Sequence, residues 1–337
     1  MLESILTNRR HQTWPSWDIV HEWEECLSQE LNLPLLHLSH SGNGFLGRVN
    51  NRLSSLPFYR QLRHWRSSAA THGIALVFHL QPHRYVPAHH IPVIIDFWKH
   101  QNLNEFISAY KSCALVLISS REVYDYLLDK GCPVNIEHWA LSLPDKYLNH
   151  EALLVEKDID IIQPGRQNQV FSGYVDGLLK AQPNLHYVYQ KQTGGELCYY
   201  SNQYGNMQIG VTRKDYFSLL ARSKIALYSS PGLDGGKHRT GGFNPVTPRL
   251  LECISQYCHV LSRYENNSDA QYYQLKDKCL NIKSQGQFIE SVDGLIKSRL
   301  TQQDRIDNYN FLKPHSTKLR ARQLRKLILN LASGGNS

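Results

Sequence analysis

The sequence predicts an α/β protein of two consecutive lobes that face a cleft, and three observations support this. At 337 residues the chain exceeds the size of one typical hydrophobic core. Short apolar segments alternate with helical patterns over residues 33–130, as in parallel βαβ units. The same alternation restarts at residue 159, so a second lobe follows the first.

In the first half the apolar runs are short enough to be strands, and helical patterns separate them. Gly131 and Pro133 end the last helix of this half. The segment from 134 to about 150 turns polar and serves as the linker. The predicted strands are 33–38, 74–79, 93–97 and 114–119, and the predicted helices are 16–29, 56–68, 103–111 and 121–130.

The second half repeats the pattern and ends in a helical region that Pro314 interrupts. We therefore predict a domain at 1–147, a second domain at 148–300, and a C-terminal helical segment at 301–337. The last segment can cross back to the first lobe. The predicted strands of the second domain are 159–162, 186–190, 225–228 and 259–261, and its helices are 174–181, 213–222 and 248–256.

The net charge of +8, from 37 Lys and Arg against 29 Asp and Glu, favours an anionic partner. Nucleic acid, lipid head groups and phosphorylated substrates all fit that charge. The chain lacks an arginine-rich arm, zinc-finger spacing and an aromatic RNA-binding signature. We therefore expect no nucleic-acid binding.

The composition predicts a cytoplasmic protein. No apolar stretch approaches the 18 residues that a membrane span needs, and the first ten residues lack the order of a secretory signal. Seven cysteines without short-range pairing fit free thiols in a reducing compartment.

The C-terminal helix has an apolar face that is flanked by basic residues. Leu324, Leu327, Ile328 and Leu331 fall at helical spacing, with lysines and arginines around them. Such a helix can lie on the inner, anionic face of a membrane as a peripheral contact. It can equally pack against the protein with its basic face in solvent, and we favour this second interpretation.

The segment 241–253 has the features of an anion-binding helix start. Gly241 and Gly242 allow close backbone approach, and Thr247 suits the N-cap position before Pro248. The positive end of the helix and the guanidinium of Arg249 suit a phosphate, while Glu252 can accept hydrogen bonds from a ribose diol. An ordinary capped helix with an exposed glutamate is the alternative.

Several segments in order resemble the GT-B glycosyltransferases of the group 1 and group 4 type. The resemblance covers mainly 159–261. Residues 160–166 resemble the family's strand and Gly-Arg turn, and 215–228 resemble the helix and strand before its donor site. Residues 246–261 resemble the donor-nucleotide helix with the strand that follows it. Residues 116–127 resemble the end of the family's first lobe.

The resemblance implies two Rossmann-like lobes, with a nucleotide-sugar donor on the second and a glycan or lipid-linked acceptor on the first. Arg166 and Arg249 would then neutralise the diphosphate, and Glu252 would hold the ribose. Asn244 and Thr247 complete the predicted donor site. The resemblance also implies a transferase that needs no metal, with the nucleotide-sugar as substrate and no further cofactor.

The chain departs from the family at two positions. Many retaining members carry a second glutamate eight residues before the first, where this chain has Asn244. We therefore predict no stereochemical outcome. The lysine that commonly follows the Gly-Arg turn is also absent, and Arg213, Lys214 and Lys237 are the alternatives for its role.

Inverting transfer needs a general base at a strand end that faces the acceptor. His79, Asp96 and His40 qualify by position, and each has a structural alternative, as a helix cap or a packed ring. Gly42, Gly44 and Gly47 follow the spacing of a dinucleotide site without its acidic partner, so an NAD site is disfavoured. No histidine or cysteine spacing matches a metal site.

Three functional hypotheses follow. The first is a glycosyltransferase, which the resemblance places in bacterial surface-polysaccharide synthesis. The second is a catalytically silent GT-B-like partner or binding subunit, which the residue at 244 motivates. The third is a basic nucleic-acid-binding protein, which only the net charge supports.

Overall fold

The computed structural model describes residues 2–12, 14–38, 73–97, 102–149, 151–193 and 196–334, and the chain divides into two compact units. Unit 1 comprises Met1–Ala140 and Thr317–Ser337, and unit 2 comprises Leu141–Ser316. The boundary thus falls before the expected residue 147. The C-terminal segment expected at 301–337 is divided between the units at residue 316.

Unit 1 is built on a parallel sheet with the strand order β2-β1-β3-β4-β5-β6. Its central strands β3 and β4 are almost entirely buried, as expected where helices cover both faces of a parallel sheet. The strands are β1 (Leu2–Thr7), β2 (Leu35–His37), β3 (Ile74–His79), β4 (His90–Ile94), β5 (Val116–Ile118) and β6 (Ile136–His138).

Two helices of unit 1 begin at polar caps, whereas the cap residue of the helix Asp18–Leu31 is Trp17, whose side chain makes no capping bond. Asn102 and Ser120 accept hydrogen bonds from the N–H groups of Glu105 and Val123, which satisfies donors of the first helical turn. The helices are α1 (Asp18–Leu31), α2 (Leu103–Tyr110) and α3 (Arg121–Asp129), and α12 (Thr317–Gly334) joins them from the end of the chain.

Unit 2 has a second sheet with the order β10-β9-β8-β7-β11-β12-β13. Strands β8, β7, β11, β12 and β13 run parallel, and β9 and β10 extend the sheet in antiparallel pairs. The strands are β7 (Ile159–Gln163), β8 (Tyr187–Thr193), β9 (Glu196–Ser201), β10 (Gly205–Asn206), β11 (Ser223–Ser229), β12 (His259–Arg263) and β13 (Leu280–Asn281).

The core of unit 2 forms where α4 and α10 cover the central strands. Ile161, Leu227 and Leu261 from the sheet pack with Phe171 and Phe288 from the helices, and all are at most 2% exposed. The helices are α4 (Gln169–Ala181), α5 (Arg213–Ala221), α6 (Lys237–Thr240), α7 (Arg249–Ser255), α8 (Ser268–Tyr272), α9 (Leu275–Lys278), α10 (Gln285–Lys297) and α11 (Gln302–Leu312).

Helix α12 returns to unit 1 and packs against α1. Leu324 is fully buried, and Arg325 donates a hydrogen bond to the Glu30 carbonyl at 2.7 Å. Lys318, Arg322 and Lys326 are exposed. The apolar face thus meets protein, as in the interpretation we favoured, and the membrane contact stays untested. No helix in the described ranges is long and apolar enough to cross a bilayer.

The predicted fold class of two Rossmann-like α/β lobes is confirmed, as is the return of the final helix to the first lobe. The interruption at Pro314 is a short 3-10 helix between α11 and α12. The predicted helix 56–68, the glycines at 42, 44 and 47, and His40 lie outside the described residues.

Candidate nucleotide-binding site

The carboxyl ends of β7 and β11 form the topological switch point of unit 2. Strand β7 pairs with β8 on one side and with β11 on the other, so the chain leaves β7 and β11 toward opposite faces of the sheet. Ligands of open parallel sheets bind in the crevice at such a point. The Gly165–Arg166 turn follows β7, and residues 230–248 follow β11.

The guanidinium of Arg249 lies directly against Gly165, so the two predicted motifs meet. Gly165 has a φ of +74°, and a Cβ at this position would overlap the Arg249 side chain. The positive φ favours glycine here, and any larger residue would displace the Arg249 guanidinium. Arg249 is partly buried and makes no hydrogen bond or ion pair with any other described residue. It is a cation available to an anionic ligand.

Further cations lie on the same edge of the sheet. Arg166 is exposed at the turn after β7. Lys237 and Arg239 belong to α6 in the segment after β11, and within the described chain neither forms an ion pair. Of the three alternatives for the missing lysine, Arg213 is paired with Glu252, whereas Lys214 on α5 and Lys237 on α6 are both exposed, so the choice between these two stays a prediction.

The start of α7 differs from the sequence prediction. Thr247 does not cap the helix with its side chain; Pro248 occupies the cap position in a helical conformation, and α7 begins at Arg249. The Thr247 N–H instead donates to the Tyr228 hydroxyl at 3.1 Å. The predicted side-chain cap is therefore wrong. A contact of Thr247 with the nucleotide stays a prediction.

Glu252 is buried and has two partners inside the protein. Its Oε1 lies 2.7 Å from Nη2 of Arg213, and its Oε2 accepts a hydrogen bond from the Tyr216 hydroxyl at 2.8 Å. Burial, with the nearby Glu252 carboxylate, raises the pKa of Tyr216 well above its usual value, so the phenol stays a donor. Both carboxylate oxygens of Glu252 therefore have partners within the protein. The contact of Glu252 with a ribose stays a prediction.

Arg213 is held in place by aromatic rings as well as by Glu252. Its guanidinium carbon lies 4.8 Å from the ring centre of Phe217, which stacks on Tyr147 at 3.7 Å. A cation over aromatic faces is attracted by the ring quadrupole. This network, which no local sequence pattern indicated, stabilises the helix that carries Glu252.

Asn244 positions a carboxylate that the sequence analysis missed. The side chain of Asn244 is 4% exposed, and its Nδ2 donates to Glu265 Oε2 at 2.8 Å. Its carbonyl accepts a bond from Asn267 at 3.0 Å. Glu265 is exposed and follows the carboxyl end of β12. Its position after a strand was the one signal that could have indicated it.

In unit 1, His79 ends β3 as predicted, yet only 4% of the residue is exposed. Its ring stacks on His83 at 3.8 Å, and Nδ1 lies 3.2 Å from the Tyr110 hydroxyl. Desolvation, with His83 and His90 nearby, lowers its pKa well below the usual value. Asp96 follows β4 and is partly exposed. The catalytic roles of His79, Asp96 and His40 stay predictions.

Two Rossmann-like units, the first completed by a helix that returns from the end of the second, match the lobe architecture of the GT-B fold. No protein-family model and no curated protein sequence matches the chain.

Solved structures with similar shape include the UDP-GlcNAc 2-epimerase of Methanocaldococcus jannaschii, at 11% identity and a TM-score of 0.49 over 98% of this chain and 100% of that one. The sucrose-phosphate synthase of Thermosynechococcus elongatus matches at 9% identity and 0.47 over 89% and 84%. The GtfA/B complex matches at 10% and 0.49 over 81% and 60%. Sequence identities and TM-scores this low carry no information about the function of the chain.

Proposed function

We propose that the protein is a sugar-nucleotide enzyme, and specifically a glycosyltransferase that moves a sugar from a nucleotide-sugar to a carbohydrate or lipid-linked acceptor. No cofactor or metal takes part in this proposal. The proposed role in bacterial surface-polysaccharide synthesis rests on the resemblance of the sequence alone. The observation that supports the proposal most directly is the Arg249 guanidinium, which lies against Gly165 at the switch point without an anionic partner among the described residues.

The chemistry of transfer explains why such a cation would matter. The bond from the anomeric carbon to the diphosphate oxygen breaks, and the acceptor hydroxyl oxygen bonds to that carbon. The hydroxyl proton passes to a base, for which Asp96, His79 and His40 remain the candidates. Negative charge grows on the diphosphate as it leaves, so fixed guanidinium groups stabilise the transition state more than the ground state. We propose that Glu265, which is exposed after the carboxyl end of β12, accepts hydrogen bonds from sugar hydroxyls.

The test compares Arg249→Ala with Arg299→Ala, an exposed arginine at the other end of unit 2 that gives the same change in net charge. Thermal shifts and calorimetric titrations use UDP, GDP, CDP and ADP with their common sugar derivatives. Saturating the wild type at 100 times the dissociation constant should stabilise it by about 2.7 kcal/mol. Arg249→Ala should weaken that binding at least tenfold, roughly 1.4 kcal/mol, and Arg299→Ala should not. Equal affinity in both variants would contradict the site.

A catalytically silent binding subunit is the second candidate. It is favoured by the side chain at 244, which is an amide, and by the pairing of Glu252 with Arg213 and Tyr216. The two candidates differ in turnover. Slow release of free sugar from a bound nucleotide-sugar by the purified wild type, lost in Arg249→Ala, supports the transferase. Binding without any hydrolysis or transfer supports the silent subunit.

A further inference from the structure

Asp234 connects three chain segments at the carboxyl edge of the unit 2 sheet. It receives two hydrogen bonds from Arg263, from Nε at 2.6 Å and from Nη2 at 2.7 Å. Asn168 Nδ2 donates a third at 2.7 Å. The Asp234 side chain is only 9% exposed. Burial alone would raise its pKa, but the bonds from Arg263 and Asn168 hold that pKa below its usual value, so the carboxylate stays charged.

These partners come from different strands. Asn168 follows the Gly165–Arg166 turn of β7 and caps α4, accepting the N–H of Phe171 at 3.0 Å. Arg263 is the last residue of β12, and its Nη1 is fixed on the carbonyl of Ile282 at 2.9 Å. Asp234 itself lies in the segment 230–242 after β11. The network therefore ties this segment to the turn that holds Arg249.

The backbone at Asp234 needs such a tie. Asp234 has a φ of +49°, which is uncommon for a residue with a side chain, and Gly235 follows with a φ of +91°. A residue with a side chain keeps this left-handed backbone conformation only where surrounding contacts stabilise it. Gly232 is also closely packed, because a Cβ there would come within 2.5 Å of Asn244 Oδ1. The path of the segment that carries Lys237 and Arg239 is thus set by close packing at Gly232 and by the bonds to Asp234.

We propose that Asp234 is a positioning residue, which fixes the segment 230–242 against the Gly165–Arg166 turn and so preassembles the binding site for a nucleoside diphosphate. This inference rests on the proposed function. Asp234 acts without touching the ligand, because it holds the segment that carries Lys237 and Arg239 to Asn168, which follows the turn that Arg249 contacts. If the segment holds its binding arrangement only a tenth of the time, the apparent dissociation constant rises about tenfold.

A second arginine–aspartate pair in the same sheet provides a control of the same pair type, in which the Asp158 side chain is 45% exposed against 9% for Asp234. Asp158 precedes β7 and Arg222 precedes β11, so this pair ties the amino ends of the strands that Asp234 ties at their carboxyl ends. Arg222 donates from Nε to Asp158 at 2.8 Å and from Nη2 to the other oxygen. The Asp158–Arg222 pair thus carries the same charges as the Asp234–Arg263 pair and is also bidentate. It lies at the opposite edge of the sheet from the candidate site.

The experiment measures binding of UDP and of GDP by calorimetry to the wild type, Asp234→Asn and Asp158→Asn, with the melting temperature of each free protein. We expect at least tenfold weaker binding for Asp234→Asn and less than a twofold change for Asp158→Asn. Asn168→Ser keeps a competent helix cap but loses the bond to Asp234, and it should weaken binding about threefold. A purely structural role would lower melting temperatures without changing affinity, and that result would overturn the proposal.

Hydrogen exchange of the free proteins separates this inference from the proposed function. Asp234→Asn should raise amide exchange within 230–242 and around 165–168, and Asp158→Asn should not. If the wild type binds neither nucleotide, the proposed function loses its support while exchange still decides whether Asp234 fixes the segment. Unchanged exchange in Asp234→Asn would overturn the positioning role in either case.

Discussion

At the scale of single residues, the structure separates two charged side chains that the sequence placed in one clamp. Arg249 has no ion-pair partner in the described chain, whereas Glu252 has Arg213 and Tyr216. A carboxylate taken out of water requires partners, and those partners make it part of the protein's own framework. One turn of helix thus carries a residue suited to a ligand and a residue suited to stability.

Removing the buried carboxylate should therefore destabilise the protein. Glu252→Ala leaves the Arg213 cation, whose side chain is 17% exposed, without its counter-ion, and it leaves the Tyr216 hydroxyl without its acceptor. We expect a loss of about 3 kcal/mol in the free energy of unfolding. Urea denaturation measures it, and Glu265→Ala, which removes an exposed carboxylate, should cost about 1 kcal/mol or less. If Glu252→Ala instead left the stability unchanged and abolished nucleotide binding, the result would support the predicted contact between Glu252 and the ribose.

At the scale of elements, the sequence predicted most strands and helices, and the failures have physical causes. Strand β3 was predicted with its observed bounds because it is a continuous buried apolar run. The elements that were not predicted are strands β1, β6, β9, β10 and β13 and helices α6, α8, α9 and α10. Strands β6, β10 and β13 have only two or three residues, which carry no periodicity. The side chain of Thr247 was predicted to cap α7, but Pro248 occupies the cap position, and the Thr247 N–H donates to the Tyr228 hydroxyl, which is distant in sequence. Local rules cannot indicate a partner from another strand.

The histidines around β3 and β4 predict a dependence of unit 1 stability on pH. Desolvation, with His89 and His83 nearby, lowers the pKa of His90 to about 4, and the pKa values of His79 and His83 are lowered as well. Since these folded-state values lie below the unfolded value of 6.5, the unfolded chain binds more protons between pH 6.5 and 4. The stabilisation is complete above pH 6.5 and is lost as the pH falls.

Denaturation curves at pH 7, 6, 5 and 4 measure this effect. His90 alone should account for a loss on the order of 3 kcal/mol across that range. His90→Gln should flatten the dependence, because an amide does not titrate. A slope that stays the same in His90→Gln would show that other groups cause the acid sensitivity.

At the scale of the whole molecule, unit 2 is inserted in the chain of unit 1. The chain leaves unit 1 after Ala140 and rejoins it at Thr317. Trp139 donates from Nε1 to the Arg320 carbonyl at 3.1 Å, and the buried Arg320 donates from Nε to the Ala140 carbonyl at 2.9 Å. The outgoing and returning segments are therefore bonded to each other within unit 1. The helical spacing of Leu324 and Leu327 predicted an apolar face, but only the structure identified α1 as its partner.

Two leucines of α12 test this packing. Leu324 is fully buried, whereas Leu329 is 65% exposed on the same helix. Leu324→Ala should lower the free energy of unfolding by about 2 to 5 kcal/mol through lost burial and a cavity, and Leu329→Ala by less than about 0.5 kcal/mol. Calorimetry of both variants measures the difference. Equal effects would mean that α12 does not pack as described.

The late position of α12 also affects how the protein is made. A ribosome completes β1, α1 and the strands of the first sheet, and then the whole of unit 2, before α12 emerges. Because domains fold as units during translation, unit 2 can complete its core while unit 1 still lacks the helix that packs on α1. The apolar side of α1 then stays open to chaperones or to other nascent chains until α12 has been synthesised. A stalled or truncated chain would carry a finished second unit beside an unfinished first one.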